Sequence, residues 1–317
     1  MERIRAAFSG LKAQSTGMEK TLPHALQQKV RNAYAGLMSM SGGVRRRGQQ
    51  IMIGAIANAV ANAKTIDGAG TGARLLAVNS PTGSGKSYAY GLGAIPVAIA
   101  NGLKVVIATG KVSLQEQLIQ RDLVELQKVI PEMRAALVKG RARYGCLVRM
   151  KQAVEVGSEV SGTAGELLAS LADKSWSGDV DELQDHPGAG VWSKFTNDSK
   201  GCSGRKCGEY ASCPYYVNRA AIQGANVLVT NHSMLLSDLR AGNVILPRPQ
   251  DMVLVIDEAH GLPKKAVESL ADGHTLEDAQ QFVQKCGALV GGVRRADGAG
   301  ACAKLAGEVE SQHAHQE

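Results

Sequence analysis

Arg74-Leu75-Leu76-Ala77-Val78-Asn79-Ser80-Pro81-Thr82-Gly83-Ser84-Gly85-Lys86-Ser87 is the stretch that decides the fold. Its first six residues form a short apolar run that predicts a strand. The next eight are a glycine-bearing loop, and the alanine-rich stretch to Ala100 predicts a helix. An anion site made of backbone needs this order. Glycines let the chain curl so that several N–H groups point at one anion, and the helix that follows adds the positive end of its dipole. The pattern is that of a phosphate loop, with Ser80 where the strict form has glycine. In such a loop Thr82, Gly83, Ser84 and Gly85 cradle the phosphates, Lys86 reaches the β- and γ-phosphates, and the Ser87 hydroxyl ligates Mg²⁺. A glycine-rich turn with an incidental lysine is the competing reading, and the flanking strand and helix argue against it.

Outward from this loop, apolar runs and helical patterns alternate. Lys104–Ala108 and Ala135–Val138 read as strands around a helix over Ser113–Ile130, where Leu114, Leu118, Leu123, Leu126 and Ile130 fall near one face. Asn226–Thr230 and Met252–Ile256 are further buried-strand candidates. Strands alternating with helices imply an α/β fold with a parallel sheet covered on both faces. Upstream, a helix over about 22–40 is broken by Ser41, Gly42 and Gly43, and a second runs from Gln49 to about Ala63, before a loop at Asp67–Gly72. From Gly140 to Tyr216 the alternation stops, and this segment is rich in Gly, Ser and Asp. Beyond Leu262 the chain reads as helical and polar, then as a Gly/Ala segment and a polar tail.

The last strand candidate runs into Asp257-Glu258-Ala259-His260. A buried strand ending in two carboxylates holds them at the C-terminal edge of the sheet, where open α/β folds bind ligands. Asp257 would hold Mg²⁺, and Glu258 would orient and deprotonate an attacking water. His260 would sense the γ-phosphate. Alone the tetrapeptide is ordinary surface; after an apolar strand and downstream of a phosphate loop it is specific.

Of six cysteines, Cys146 stands alone and Cys202, Cys207 and Cys213 follow as Cys-x4-Cys-x5-Cys after a gap of 55 residues. Four thiolates suit an iron–sulfur cluster or a structural zinc. Zinc sites favour two close pairs, and Pro214 beside the last cysteine is common near iron–sulfur ligands, yet spacing leaves zinc and buried free thiols open. Cys286 and Cys302 fall outside the pattern as free thiols, and a metal role for His313 and His315 in the polar tail is not expected.

The chain has 317 residues, which suggests about two domains, and 44% are hydrophobic, enough for a real core. A net charge of +7 suits a polyanionic partner and equally an ordinary basic surface; Arg45-Arg46-Arg47 is the densest run. No apolar run approaches a membrane span, and the N-terminus lacks a signal-peptide core, so the expected location is the cytoplasm, where cysteines serve metals or catalysis before disulfides.

The phosphate loop with Asp-Glu-Ala-His resembles superfamily 2 helicases of the DEAH-box kind. The order of phosphate loop, Gly140-Arg141-Ala142-Arg143-Tyr144-Gly145-Cys146, the three-cysteine group with Pro214-Tyr215-Tyr216, Val229-Thr230-Asn231-His232 and then Asp257–His260 is similar to the DinG branch of the XPD-like iron–sulfur helicases, from about Arg46 to Pro263. The resemblance implies a RecA-like domain, ATP and Mg²⁺, a [4Fe–4S] cluster on the four cysteines, and 5′-to-3′ movement on single-stranded or forked DNA in a bacterial cytoplasm. Gln49, in Arg46-x-x-Gln49-x-x-Met52, would read adenine. Lys111 in Thr109-Gly110-Lys111 would grip the DNA backbone, with Gln115 on the following helix. Asn231 and His232 would line the same groove, although helix-capping turns explain these two stretches as well. Arg141 and Arg143 would contact phosphate and Tyr144 would stack on a base, with structural support of the insert as the alternative.

The expected organisation is an N-terminal helical segment (1–43), a RecA-like domain in two parts (44–140 and 220–263) around an iron–sulfur insert (141–219), and the opening of a helical arch (264–317). Arg294 and Arg295 lack motif context, and no second RecA-like lobe with its arginine finger is expected. The chain therefore reads as a shortened product that binds ATP, turns it over slowly and acts as a monomer. Single-strand binding proteins or a CRISPR-type complex are candidate partners, and DNA repair or a mobile element candidate settings. The alternatives are a nucleotide- and nucleic-acid-binding module without motor activity, and a zinc-stabilised ATPase unrelated to DNA.

Overall fold

The computed structural model describes residues 22–42, 45–62, 75–81, 83–197 and 201–270. Thr82, Cys286, Arg294, Arg295, Cys302, His313 and His315 lie outside the described residues, as does most of the expected arch.

Two helices, α1 (His24–Ser41) and α2 (Arg47–Ala61), precede the phosphate loop, and α3 (Lys86–Ala100) follows it. Then come β1 (Lys104–Thr109), α4 (Val112–Gln117), a π-helical turn (Leu118–Asp122), α5 (Leu123–Val129) and β2 (Ala135–Leu137). The insert contributes α6 (Leu147–Glu155), α7 (Ser161–Ala172) and α8 (Ala189–Phe195). The chain returns through α9 (Pro214–Gly224), β3 (Val227–Asn231), α10 (His232–Arg240), β4 (Met252–Ile256) and α11 (Leu262–Leu270).

The four strands form one sheet in the order β2-β3-β1-β4, and every pairing is parallel. Pleating sends alternate side chains to opposite faces. Val105, Ile107, Val227 and Val229 enter a core with α1, α2, α3 and α5, while Val106, Ala108 and Leu228 pack with Ile222 and Leu235 on the other side. Leu92, Ile95 and Val97 of α3 are fully buried, each worth roughly 1.5–3 kcal/mol of transfer free energy. Gly93 lets α3 lie against α2: a Cβ there would sit 2.9 Å from the Ile53 carbonyl oxygen.

One expectation is corrected. The run before the loop is no strand: residues 75–81 belong to no helix or strand, with Leu75 78% exposed, and they flank β4 across a cleft. Within the described residues β4 is therefore an edge strand, and Leu254 is accordingly exposed. The helix expected over Ser113–Ile130 is present from Val112 to Val129, with a π turn at Leu118–Asp122 inside it, and Asp122 is buried there. The insert is itself packed. Leu147, Met150, Leu167, Trp176, Trp192 and Phe195 give it a core of its own.

Candidate functional site

The phosphate loop begins where the extended run ends. Ser80 Oγ bonds Ser84 Oγ at 2.7 Å and the Ser84 N–H reaches the Pro81 oxygen at 3.4 Å, closing the loop on itself. Gly83 and Gly85 both hold positive φ, which a side chain would resist. Gly85 forms the N-cap of α3, so the helix starts with Lys86 and directs its first N–H groups into the loop.

Lys86 Nζ lies 3.4 Å from the Ser80 oxygen and 3.3 Å from Glu258 Oε1, a residue 172 positions away. The parallel register accounts for that meeting. Ala108 pairs with Ile256, and the Asp257 N–H continues the ladder to the Ala108 oxygen at 2.9 Å. The acid turn is thereby fixed at the same sheet edge as the loop. Glu258 adopts left-handed φ +51°, and its N–H bonds Asp257 Oδ1 at 3.0 Å. His260, largely exposed, sets Nδ1 3.3 Å from Glu258 Oε2.

These groups rim a cleft of about 860 Å³. Leu75, Val78, Val253 and Val255 form much of its wall, while Lys86, Tyr90 and residues 257–260 supply the polar end. A site of this size with few convergent polar groups suits a small ligand. Burial and the nearby Asp257 carboxylate raise the Tyr90 hydroxyl above its ordinary pKa, and the hydroxyl has no partner at bonding geometry. The buried Asp122 faces the Ser87 hydroxyl, with its carboxyl raised first by burial. Sequence reading passed over Asp122. The signal was available, since an acid stands between Leu118 and Leu126 on an apolar stripe.

Other expected residues are used differently. Gln49 is buried, and its amide donates to the Gly85 oxygen at 3.1 Å, so it braces the loop from behind, as Arg46 does through the Gly83 oxygen. Gln115 is fully buried and ties the Val138 and Val229 carbonyls together. Lys111 is exposed at the N-cap of α4. His232 is buried, not in a groove.

In the insert, Cys146 and Cys213 are the N-cap residues of α6 and α9. The Cys213 thiol is raised by burial, opposed by backbone N–H groups of Tyr216 and Tyr215, and raised further by Cys146 and Cys202 close by. The Gly204 N–H points at Cys202 Sγ at 3.4 Å, and Cys207 closes the short turn Gly204–Lys206. An all-sulfur donor set supplied with N–H groups suits thiolate ligation of an iron–sulfur cluster. Among the described residues no three His, Cys, Asp or Glu side chains converge on a single metal ion. The Arg141 guanidinium stacks on Tyr215, 4.4 Å from its ring centre, and donates to the Tyr216 hydroxyl at 3.4 Å. Tyr144 does not present a free face for a base. It is 5% exposed and packs edge-on against Tyr215.

Lys139, just past β2, is a further residue that sequence reading passed over. Its ammonium is buried among Asp179 (2.5 Å), Asp181 (2.7 Å) and Glu116 (3.2 Å). It joins the insert to α4, and Arg143 pairs with Asp181 from outside. No local pattern announces it, because its acids lie 23 to 42 positions away.

Comparison with known proteins bears on the same residues. The family model DEAD_2 matches residues 203–275, which include Cys207, Cys213 and the acid turn. The ATP-dependent DNA helicase DinG of Photobacterium profundum is 34% identical over 233 residues, 69% of this chain and 34% of the relative. DinG of Salmonella typhimurium is 34% identical over 64% of this chain and 31% of the relative, and DinG of Escherichia coli K12 is 32% identical over 66% and 31%. These matches support reading the chain as resembling the N-terminal part of a DinG-type helicase. It spans about a third of the length of the DinG relatives it matches. No helix among its described residues is long and apolar enough to cross a membrane.

Proposed function

We propose that this chain is the ATP-binding and cysteine-bearing part of a DNA helicase that moves 5′ to 3′ on single-stranded DNA. The observation that carries the reading is the 3.3 Å approach of Lys86 to Glu258 at the C-terminal edge of a parallel sheet. It brings a phosphate-loop lysine and a strand-end acid to one cleft. Residues 82–87 would cradle the phosphates of ATP, with Lys86 neutralising the β- and γ-phosphates. Ser87 and Asp257 would hold Mg²⁺, which supplies charge neutralisation when bound. Glu258, positioned beside the lysine, would orient the attacking water and take its proton, and His260 would report the γ-phosphate through Glu258. Gln49 serves the nucleotide by holding Gly85.

Cys146, Cys202, Cys207 and Cys213 would hold a [4Fe–4S] cluster that cross-links the insert. Lys111 at the N-cap of α4 and Arg141 and Arg143 beside the first cysteine would meet the DNA backbone. Among the described residues lining the cleft there is no arginine. An arginine finger is worth about 10³–10⁵ in rate, so turnover at this cleft would be slow as long as no arginine reaches it.

Equilibrium binding of a fluorescent Mg-ATP analogue, followed by DNA-stimulated phosphate release, tests the nucleotide site. Wild-type protein binds, and Lys86→Ala loses about 10²–10³-fold in turnover, the usual effect of removing one preorganised cationic or hydrogen-bonding group. Wild-type protein with no affinity for adenine nucleotides would end the proposal. Anaerobic purification with iron and sulfide assays tests the cluster independently; a colourless protein carrying zinc would refute that part alone.

A further inference from the structure

We propose that His232 is a positioning residue that links the Gly110-Lys111 loop to the acid turn, so that DNA binding and nucleotide binding are felt at each other's sites. This rests on reading the cleft as a nucleotide site. His232 opens α10 at the end of β3 and is 1% exposed. Its Nε2 lies 2.9 Å from the Asp257 carbonyl oxygen. A carbonyl only accepts, so Nε2 carries the proton and donates. The Asp257 N–H is held by Ala108 at 2.9 Å, so the residue between the sheet and Glu258 is pinned at both its N–H and its C=O. Glu258 needs such support, because left-handed backbone is unfavourable for a residue with a side chain unless its surroundings hold it.

The ring also lies beside the other loop. A Cβ built on Gly110 would come to 3.7 Å from Glu258 Cβ and 3.9 Å from His232 Cε1, so Gly110 faces both the ring and the acid turn across a gap of about one methyl group, and a small displacement of the loop closes it. Lys111 is tied to the same junction: Thr109 Oγ1 donates to the Lys111 oxygen at 3.0 Å and contacts the Thr230 oxygen at 3.4 Å. Asn231 caps α10 through the Met234 N–H and bonds Gln115 on α4. A shift of the Lys111 loop therefore presses on the imidazole, and the imidazole holds the peptide that aims Glu258 at Lys86. The second ring nitrogen, Nδ1, is buried without a partner among the described residues, so the ring is held at a cost that simple packing does not require.

The experiment measures affinity of the 317-residue protein for a fluorescent Mg-ATP analogue with and without single-stranded oligothymidylate. In wild type, DNA changes nucleotide affinity by about fivefold or more, the lower end of usual couplings between sites. In His232→Leu each ligand alone binds within about twofold of wild type while the coupling factor falls to about one. His232→Gln, whose amide N–H extends as far as Nε2, keeps the coupling; His232→Asn, whose N–H stops short, loses it. Should the leucine variant fail to fold, as judged by thermal melting, the Gln and Asn variants decide, and equal coupling in both overturns the proposal. Undiminished coupling in folded His232→Leu, or absence of coupling in wild type that binds both ligands, also overturns it. Wild type that binds no nucleotide at all instead removes the reading of the cleft, a result visible before DNA is added.

Discussion

At the sheet edge, Glu258 follows β4, whose register with β1 is repeated over five paired residues, and Lys86 reaches it from the N-terminus of α3. In the insert, Cys146 and Cys213 are helix N-caps and Cys202 and Cys207 flank a short turn, and the insert joins the sheet through the buried Lys139 cluster. The first arrangement is redundant, since the loss of one contact leaves a ladder standing. The second depends on a few strong, local interactions.

The largest effect that would break this comparison is at the thiols. If the four cysteines hold the proposed cluster, Cys207→Ser purified without oxygen should lose the visible absorption and most of the iron of the wild type. Because the sheet edge is built separately, its affinity for Mg-ATP should stay within about twofold of wild type, as for distant uncoupled sites. Joint loss of colour and nucleotide affinity would mean that the two regions fold as one.

The junction comes next. Lys139→Met leaves Asp179 and Asp181 buried without their ammonium, and removing one member of a buried ionic cluster costs about 3–5 kcal/mol. Urea titration reads this directly. The pH dependence has a definite sign. Burial raises the Asp179 carboxyl above its ordinary value despite Lys139 and Arg143. Its contribution to folding is thus fully present below the unfolded-state pKa and is lost as pH rises through the raised folded value. In Lys139→Met that loss should move to higher pH and deepen, so the variant's urea midpoint should fall more steeply than wild type's from acid toward neutral pH.

These two regions also differed in how much the chain discloses before folding. The phosphate loop and acid turn are contiguous motifs, and the strand before the acid turn is strongly apolar, so both motifs could be placed from sequence and β4 has the expected bounds. The run at 75–79 was not legible, because an apolar hexamer looks the same whether or not an edge accepts it. In the insert, ligand types were legible and surroundings were not. Tyr144 reads as an exposed aromatic from its arginine neighbours, yet tertiary packing buries it against Tyr215. Lys139 and His232 act through partners dozens of positions away or across strands, which no local pattern carries.

A smaller effect belongs to the loop. Gly85→Ala forces a side chain into φ +80° and sets its Cβ 2.3 Å from the Gln49 amide. The amide can swing away, so the expected loss of stability is that of left-handed backbone, about 1–2 kcal/mol, with weaker nucleotide binding because Gln49 then releases the loop. Gln49→Ala combined with Gly85→Ala should bind nucleotide no worse than Gly85→Ala alone; additive losses would show that Gln49 meets the nucleotide itself.

The smallest change in stability separates two cations on one carboxylate. Asp181 pairs with Lys139, whose side chain is 3% exposed, and with Arg143, whose side chain is 39% exposed. Solvent screens the second pair, so Arg143→Ala should cost under about 1 kcal/mol, against several for Lys139→Met. If Arg143 also meets a DNA phosphate, its loss should weaken single-strand binding and reduce the slope of log affinity against log salt by about one. An unchanged salt slope with an equally small stability loss would assign Arg143 to the surface of the insert alone. A stability loss as large as that of Lys139→Met would mean instead that burial at Asp181 extends outward to the arginine, and that the junction is a single buried network rather than a buried pin with an exposed partner.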